Sequence, residues 1–395
     1  MNDPSRRSRA DAFELRTRRP VSLPPPVDTR PTRFAITIAL RQLRQSKLAF
    51  VGATVIACIT LVAIFADLLA SDLPIACRLH DSTFVLPSLT RPPALAAYDC
   101  ERLEDELGEG DWALYPLVRF GPTQTSARGR IEALLPPLRG NLAHPLGTDD
   151  RGRDVFARLV HGARTSLTVG LISVMAFIGI GAGLGALAGF YGGIVDSLVS
   201  RLVETLTAFP TVVLVLVVQG LVAEPTMSTM LLAIGLTRWT EVARLVRAEV
   251  LLVTSQEYVL AARALGARPG RVLSKHVLPN AIAPVLVAAT FGVASVVLIE
   301  ASLTFLRVGV PPPTASWGEM LSEARDHAVA WWLLVLPGMA VFATVVALNL
   351  VGEALRDALD PRQRQAFDPG ARRAPLPASP RIRGEEDRTA TARSL

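Results

Sequence analysis

The sequence predicts an all-α membrane protein with six transmembrane helices and an extended extracytoplasmic loop after the first helix. Half of its 395 residues are hydrophobic and only 19% are charged, and the mean hydropathy of +0.36 is too high for an ordinary soluble domain of this length. Several apolar runs also approach the length of about 20 residues with which an α-helix crosses a bilayer. No segment shows the alternating apolar and polar pattern of a membrane β-barrel, so the spans are predicted to be helical.

Six apolar segments are predicted to span the membrane. They cover residues 48–70, 166–190, 206–222, 227–239, 281–303 and 331–351. Arg41, Arg44 and Lys47 precede the first segment, and basic residues next to a span mark the cytoplasmic side. The fourth segment is short because charged residues follow from Arg238, so we interpret it as a helix that leaves the membrane and continues as a polar extension. Six spans place both termini in the cytoplasm.

The remaining segments complete the predicted organisation. Its parts are a disordered cytoplasmic tail at 1–32, an amphipathic segment with the first transmembrane helix at 33–70, an extracytoplasmic loop at 71–160, the transmembrane core at 161–360 with a cytoplasmic loop at 247–280, and a second disordered cytoplasmic tail at 361–395. Both tails are rich in polar residues that cannot bury a core. Long loops cross the membrane largely regardless of their charge, so the arginines of the extracytoplasmic loop do not contradict its location.

Two cysteines in the extracytoplasmic loop, Cys77 and Cys100, could form a disulfide, because this compartment permits oxidation. Such a bond would stabilise the loop by about 3 kcal/mol. Two unpaired thiols are an equally good interpretation. The chain has three cysteines and no CxxC pair, so neither a zinc site nor a redox site of that type is predicted.

The segment 256–280, QEYVLAARALGARPGRVLSKHVLPN, is polar and basic although it lies between strongly apolar segments. A hydrophilic helix-turn-helix between spans indicates a surface that binds a soluble partner. Gly266 is expected to end the first short helix, because glycine accepts backbone angles that other residues avoid. Pro279 is expected to mark the start of the next span.

This segment resembles the EAA loop, through which the membrane subunits of bacterial ABC importers contact their ATPases. The resemblance rests on Ala261-Ala262, Gly266 and Leu278-Pro279, which have the spacing of that motif. It assigns ATPase coupling to a set of residues in the segment: Glu257, Tyr258, Ala261, Ala262, Arg263, Gly266, His276, Leu278 and Pro279. Leu260 departs from the pattern, because a glutamate is usual there, and it removes a charge that Glu257 or Arg263 would have to supply.

Three further motifs resemble the dipeptide, oligopeptide and nickel permeases of the C-subunit type. They are GTDDRGRD at 147–154, EASLTFL at 300–306 and LRDALDPR at 355–362, and His276 also fits this branch. The resemblance covers about residues 33–362 and implies the type I ABC importer permease fold in the inner membrane of a bacterium. It also implies several partners: a sister permease subunit, two ABC ATPase subunits, an extracytoplasmic solute-binding protein and membrane lipid.

The chain is predicted to be a transport subunit rather than an enzyme. It has no GxxxxGK[ST] loop to hold a nucleotide triphosphate, so ATP and Mg²⁺ would be bound by the partner ATPases and this chain needs no cofactor.

Peptides are the favoured substrate, with nickel or another small solute as the alternative. An ion-coupled secondary transporter is disfavoured, since it would need an internal repeat and charged residues within spans, and neither is recognised. No GxSxG motif indicates a hydrolase, and no basic stripe indicates nucleic-acid binding.

The motif before the second span supplies another set of candidates, assigned to gating or to contact with the binding protein. Its residues are Gly147, Thr148, Asp149, Gly152, Arg153 and Asp154. Asp149, Asp150 and Asp154 could bind a hard cation, because oxygen ligands suit such ions. A helix cap by Thr148 or Asp149 is favoured instead, and no metal is predicted.

Glu300, near the outer end of the fifth predicted span, is a candidate for the transport pathway. Ionisable groups within spans usually face a pathway or a partner. A position in water at the membrane interface is the alternative. His144, His161 and His327 lack the spacing of metal ligands and are expected at the surface.

Overall fold

The computed structural model describes residues 46–108, 110–125, 133–138, 143–222 and 226–359. The predicted tails at 1–32 and 361–395, and the amphipathic segment before residue 46, lie outside this part of the chain. The helices are α1 (Lys47–Ile64), α2 (Ala66–Leu69), α3 (Pro87–Thr90), α4 (Cys100–Glu106), α5 (Val155–Tyr191), α6 (Gly193–Thr207), α7 (Thr211–Gly220), α8 (Met227–Thr254), α9 (Glu257–Ala264), α10 (Pro269–Val272), α11 (Leu278–Phe305), α12 (Trp317–Asp326) and α13 (Trp331–Leu359). The strands are β1 (Ala76–Leu79), β2 (Ser82–Val85) and β3 (Trp112–Leu114).

Each of the six predicted spans coincides with helical structure in the described part of the chain. There, four stretches are long and apolar enough to cross a membrane: α1, α5, α13, and the continuous run from α10 to the end of α11. A fifth candidate span results if α6 and α7 together cross the membrane, with a bend of 86° at the break around Pro210. The fourth predicted span corresponds to α8, an unbroken helix of 28 residues in which Arg238 and Glu241 interrupt the apolar sequence.

The helix of the second predicted span begins before the span. Helix α5 starts at Val155, because the Asp154 side chain accepts a hydrogen bond from the Ala157 backbone N–H at 2.7 Å and caps the helix. The predicted start of the span at Ser166 and the boundary between residues 160 and 161 therefore both fall inside a helix. Arg158 and His161 interrupt the apolar pattern of its first turns, which is why hydropathy did not include these turns in the predicted span.

Helices α5 and α8 approach each other backbone to backbone. A Cβ atom added to Gly181 would lie 2.5 Å from the Trp239 carbonyl oxygen, and one added to Gly185 would lie 2.4 Å from the Ala243 carbonyl oxygen. The next glycine along the same face is Gly189, where an added Cβ atom would lie 2.9 Å from the Arg247 carbonyl oxygen. In lipid, where apolar burial does not drive helices together, small residues allow this close packing. These three glycines therefore define one contact face.

The hydrophobic core lies between α5, α8 and α11. Its buried side chains include Val174 and Phe177 on α5, Val242 and Val246 on α8, and Val296 on α11. Helix α1 packs at the side on α13, where a Cβ atom at Gly52 would lie 2.8 Å from the Ala347 carbonyl oxygen. The long helices thus form one packed bundle.

The segment between α2 and α5 is a small folded unit, whereas the sequence predicted a loop in an all-α protein. Its antiparallel sheet has the order β2-β1-β3, with Cys77 opposite Phe84 on one side and Ala113 on the other. Apolar side chains from the sheet and from α4, among them Leu79 and Leu103, form a core of their own. These short strands were missed because each has only three or four residues.

Both cysteines of this unit are free thiols, so the structure agrees with the unpaired alternative and not with a disulfide. Cys77 is buried in the sheet, and the Cys100 thiol is 3.6 Å from the Ser71 carbonyl oxygen, to which it donates. Burial, reinforced by the nearby Asp72 carboxylate, raises the pKa of the Cys100 thiol to about 12. Both side chains serve as part of the apolar core of this unit.

The close approach of α5 and α8 predicts a sharp difference between two neighbouring glycines. Gly185→Ala places a methyl group against the α8 backbone and is expected to destabilise the protein by about 1–3 kcal/mol through overpacking. Gly183→Ala is the matched control, because a Cβ atom there meets nothing within 4 Å. Thermal unfolding of both purified variants in detergent measures the difference. Equal unfolding temperatures for the two variants would contradict the described packing.

Candidate functional site

The loop between α8 and α11 contains two short helices, as the sequence predicted. Helix α8 ends at Thr254, α9 follows from Glu257, and Pro269 occupies the first turn of α10. A π-helical turn, Leu273–Val277, then leads without a break into α11. We call residues 255–277 the coupling loop, after the role that the resemblance to the EAA loop predicts for it.

The first short helix ends in a Schellman motif centred on Gly266. The Ala267 backbone N–H donates to the Ala262 carbonyl oxygen at 3.1 Å, and the Gly266 N–H donates to the Arg263 carbonyl oxygen at 2.9 Å. Gly266 has a φ of +81°, a left-handed conformation that favours glycine. A Cβ atom at this position meets nothing within 4 Å, so the backbone angle alone requires the glycine. The predicted role of Gly266 as a helix breaker is confirmed.

The coupling loop is anchored to the core of the helix bundle. Val259, Val272 and Val277 are fully buried in the same core as α5 and α8. Asn280, at the start of α11, donates through Nδ2 to the Tyr258 hydroxyl at 3.1 Å and to the His276 carbonyl oxygen at 2.7 Å. These contacts fix the orientation of α9 relative to the transmembrane helices.

Several predicted coupling residues face outward on α9. Glu257, Ala261 and Arg263 are exposed, and the Arg263 guanidinium lies over the Phe190 ring of α5, 4.9 Å from its centroid. The other predicted residues are half-buried, except for the exposed Gly266: Tyr258, Ala262, His276, Leu278 and Pro279. Pro279 lies in the first turn of α11, as predicted, where a backbone N–H is not needed.

Two leucines add apolar surface to this polar loop. Leu260 is 51% exposed and Leu265 is 89% exposed. Leu260, which departs from the EAA pattern, thus places an exposed apolar side chain where a glutamate is usual.

The motif at 147–154 forms a tight turn before α5. The Asp149 carboxylate accepts backbone hydrogen bonds from Arg151 at 2.9 Å and from Arg153 at 2.8 Å. Gly147 and Gly152 both have positive φ, at +84° and +74°. The helix cap is Asp154, so the prediction that Thr148 or Asp149 would cap the helix is wrong. The Thr148 hydroxyl instead accepts from the Leu135 backbone N–H at 2.9 Å.

His144 belongs to the same turn, although the sequence placed it at the surface. It is only 8% exposed, its Nδ1 lies 2.8 Å from the Asp154 carboxylate, and its ring stacks on Phe120. His161 is also partly buried, with Nε2 2.9 Å from the Ala70 carbonyl oxygen. The Asp154 carboxylate is thus occupied by His144 and the helix cap, so the three aspartates do not converge on a common cation.

A buried charge network links this motif to α12. The Arg153 Nε donates to the Asp149 carboxylate at 2.6 Å, and its guanidinium also pairs with Glu323. Arg158, which is fully buried, pairs with Glu319 and lies 3.1 Å from Glu323. Burial raises the pKa of the Glu323 carboxyl above its usual range, and the positive charge of Arg158 offsets only part of this rise.

The network joins parts of the chain that sequence reasoning did not connect. Arg158, Glu319 and Glu323 were not among the candidates, although the two glutamates lie four residues apart and therefore on one face of α12. Carboxylate oxygens of Asp149, Asp150 and Glu323 lie within 4.8 Å of one another. Arg153 lies among them and offsets part of their negative charge.

Glu300 lies inside the protein and not in water at the membrane interface. It is fully buried on α11, and its carboxyl accepts hydrogen bonds from the Ser166 hydroxyl at 2.9 Å and the Thr304 hydroxyl at 3.1 Å. The side chain therefore ties α11 to α5. Its role in a transport pathway stays a prediction.

Charged residues also lie midway along the long helix α8. The Arg238 and Glu241 side chains form an ion pair there, with an N–O distance of 2.8 Å. The sequence predicts that α8 leaves the membrane at this point and continues as a polar extension. Helix α8 continues unbroken past both residues and packs on α5, and the point at which it leaves the membrane stays a prediction.

The buried network predicts a large effect for Arg158. Arg158→Met leaves Glu319 and Glu323 buried with less positive charge, which is expected to destabilise the fold by about 3–5 kcal/mol. Arg151→Met is the matched control, because Arg151 belongs to the same turn but its side chain is exposed. Thermal unfolding in detergent distinguishes them. An Arg158→Met protein as stable as the control would show that the network contributes little.

Comparisons with known proteins agree with this architecture. Residues 181–365 match the family model described as binding-protein-dependent transport system inner membrane component, and residues 36–80 match the N-terminal TM domain of oligopeptide transport permease C. The di/tripeptide transport system permease of Pseudomonas aeruginosa is 41% identical over 73% of this chain and 99% of its own length.

Two further proteins show the range of similarity. The dipeptide transport system permease of Escherichia coli K12 is 42% identical over 62% of this chain and 83% of its own length. An inward-facing structure of the MetNI methionine ABC transporter has a TM-score of 0.43 at 20% identity and covers 52% of this chain and 97% of that chain. From the family model and the identity to the two permeases, this chain belongs to the family of binding-protein-dependent transport system inner membrane components.

Proposed function

We propose that this chain forms half of the translocation pathway of an ATP-driven peptide importer and that the coupling loop receives force from a separate ATPase. Membership of the family makes the chain a membrane permease subunit of an ABC importer, in which ATP hydrolysis belongs to another subunit. The observation that carries the coupling role is the α9 surface. It presents Glu257 and Leu260 to solvent on a helix that is anchored in the core by Val259, and the exposed Leu265 follows directly after the helix.

A rigid docking helix suits the transmission of force. Helix α9 is closed by the Gly266 motif, anchored by Val259, and hydrogen-bonded to the start of α11 through Tyr258. A push on α9 would therefore move α8 and α11 together instead of bending the loop. Such rigid-body movement is a common basis for switching between two orientations of a pathway.

The charge of the coupling loop supports a topology with this loop and both termini in the cytoplasm of a bacterial cell. The loop carries Arg263, Arg268, Arg271 and Lys275, and basic residues favour the cytoplasmic side. The folded unit between α2 and α5 then lies outside the inner membrane, together with the motif at 147–154. A soluble binding protein would contact that side, and a sister permease and two ATPase subunits would complete the complex.

Peptides are the substrate class that we propose. Support comes from the relatives whose names specify dipeptide and di/tripeptide transport, which are 41–42% identical to this chain. The pattern His276-Val277-Leu278-Pro279-Asn280, which resembles the peptide-importer branch, points the same way.

A single variant tests coupling and transport together. Gly266→Val forces a β-branched residue into a left-handed conformation that costs about 1–2 kcal/mol, and it is expected to disturb the end of α9. In proteoliposomes containing the assembled complex and its binding protein, ATP-driven dialanine uptake and ATPase co-purification should both fall about five- to thirtyfold. Gly270→Val is the control, because this residue has no positive φ and a Cβ atom there meets nothing within 4 Å.

Two results would contradict the proposal in different ways. A Gly266→Val complex that retains its ATPase and its uptake would remove the coupling loop from the mechanism. A wild-type complex that retains its ATPase but takes up no dialanine with ATP would exclude small peptides as the substrate.

A further inference from the structure

A cavity of about 410 Å³ lies between α5, α8 and α11. Phe177 contributes from α5, Arg238 and Glu241 from α8, and Phe291 and Ser295 from α11. Its volume is within the range of about 300–1,000 Å³ that is common for small-molecule sites. Aromatic walls with one positive and one negative group distinguish it from the apolar gaps between packed helices.

The cavity is deep within the membrane-spanning part. By the rise of 1.5 Å per residue, Ser295 lies about 25 Å along α11 from Leu278 and about 15 Å from Phe305. Arg238 contacts Ser295, so the charged pair is at the same depth. Ionisable groups far from both ends of a helix that crosses a membrane usually face a substrate path or a partner.

The guanidinium of Arg238 has unused hydrogen-bonding capacity. It donates to the Ser295 hydroxyl and to the Glu241 carboxylate, and it lies 5.7 Å from the centroid of the Phe177 ring. Its Nε is buried and has no hydrogen-bond partner among the described residues. Because a guanidinium carries five donors, it can bind a further acceptor group, and a carboxylate fits its planar geometry best.

Glu241 is open to the same space. Its side chain is 52% exposed, whereas that of Arg238 is 12% exposed. The ion pair between them compensates both charges, which lowers the cost of holding them between the helices. A ligand with one negative and one positive end could replace this pairing and leave the net charge of the site unchanged.

We propose that this cavity binds a short peptide in transit as a zwitterion, with its terminal carboxylate on Arg238 and its terminal ammonium on Glu241. The inference rests on the proposed function and names the contact site within it. Phe177 and Phe291 would cover the peptide with apolar surface that accepts many side chains. Recognition of the termini alone explains how one pathway can carry peptides of different sequence.

Transport by the reconstituted complex tests the two charges. Arg238→Gln and Glu241→Gln should each reduce the initial rate of dialanine uptake about tenfold or more, the effect of losing one charge-assisted hydrogen bond. Arg238→Lys, which keeps the charge, should restore part of the rate. Arg244→Gln is the matched control, because this exposed residue lies on α8 but does not line the cavity, and it should transport at the wild-type rate.

A labelling measurement tests occupancy without requiring transport. Ala288 lines the cavity, so Ala288→Cys in a Cys58→Ser background provides a reporter for a methanethiosulfonate reagent. Millimolar dialanine should slow the labelling of the assembled complex, while acetyl-alanyl-alanine amide, which lacks both terminal charges, should not. Arg238→Gln should abolish the protection by dialanine.

The outcomes separate the inference from the function on which it rests. Normal dialanine uptake in both charge variants would overturn the inference and leave the peptide importer intact. Absence of uptake in the wild type would contradict the proposed function, and the labelling result would still decide whether the cavity binds the peptide. A third outcome would also overturn the inference. If Arg238→Gln, Glu241→Gln and Arg238→Lys all lose subunit assembly, and dialanine does not slow the labelling of Ala288→Cys, the ion pair is a contact between subunits.

Discussion

The backbone contact between α5 and α8 is the constraint on which the rest of the structure depends. Gly181, Gly185 and Gly189 leave no room for a side chain, so the α8 carbonyl groups lie against α5 over two turns. In a membrane, dispersion contacts at this distance replace the hydrophobic effect that drives association in water. Because the contact is between backbones, it positions both helices closely and limits sliding. The cavity in the middle of α8 and the coupling loop at its end therefore belong to one structural unit.

Two other groups of contacts hold the ends of this unit. At one end, the buried valines of the coupling loop and the Tyr258–Asn280 hydrogen bond attach α9 to the start of α11. At the other end, Arg153 and Arg158 tie the beginning of α5 to Glu323 on α12. Such buried ion pairs contribute little net stability when they are complete, but they are costly to break. Together these contacts hold α9 and α12 in fixed positions on the helix bundle.

Local features of the sequence were the most predictable. The left-handed conformation of Gly266 and the position of Pro279 follow from the backbone chemistry of those residues alone. The pairing of Arg158 with Glu323 was not predictable, because it joins residues 165 apart in the chain. The contact of Arg238 with Ser295 was not predictable either, because hydropathy averages over a window and cannot show which side chains a charged residue contacts. The fold of the long helices could be predicted from apolar run length, whereas the small sheet, with strands of three or four residues, could not.

The most direct test of this account measures whether α5 and α8 move as one body. Spin labels at Gly183→Cys on α5 and Ala248→Cys on α8 occupy exposed positions on the two helices, in a background without Cys58. Their separation can be measured by pulsed electron resonance in the assembled complex, without nucleotide and in a trapped ATP state. A rigid pair predicts one narrow distance that is the same in both states. A shift of about 5 Å, the length of one helical turn, would show that the helices slide past each other and would contradict the account.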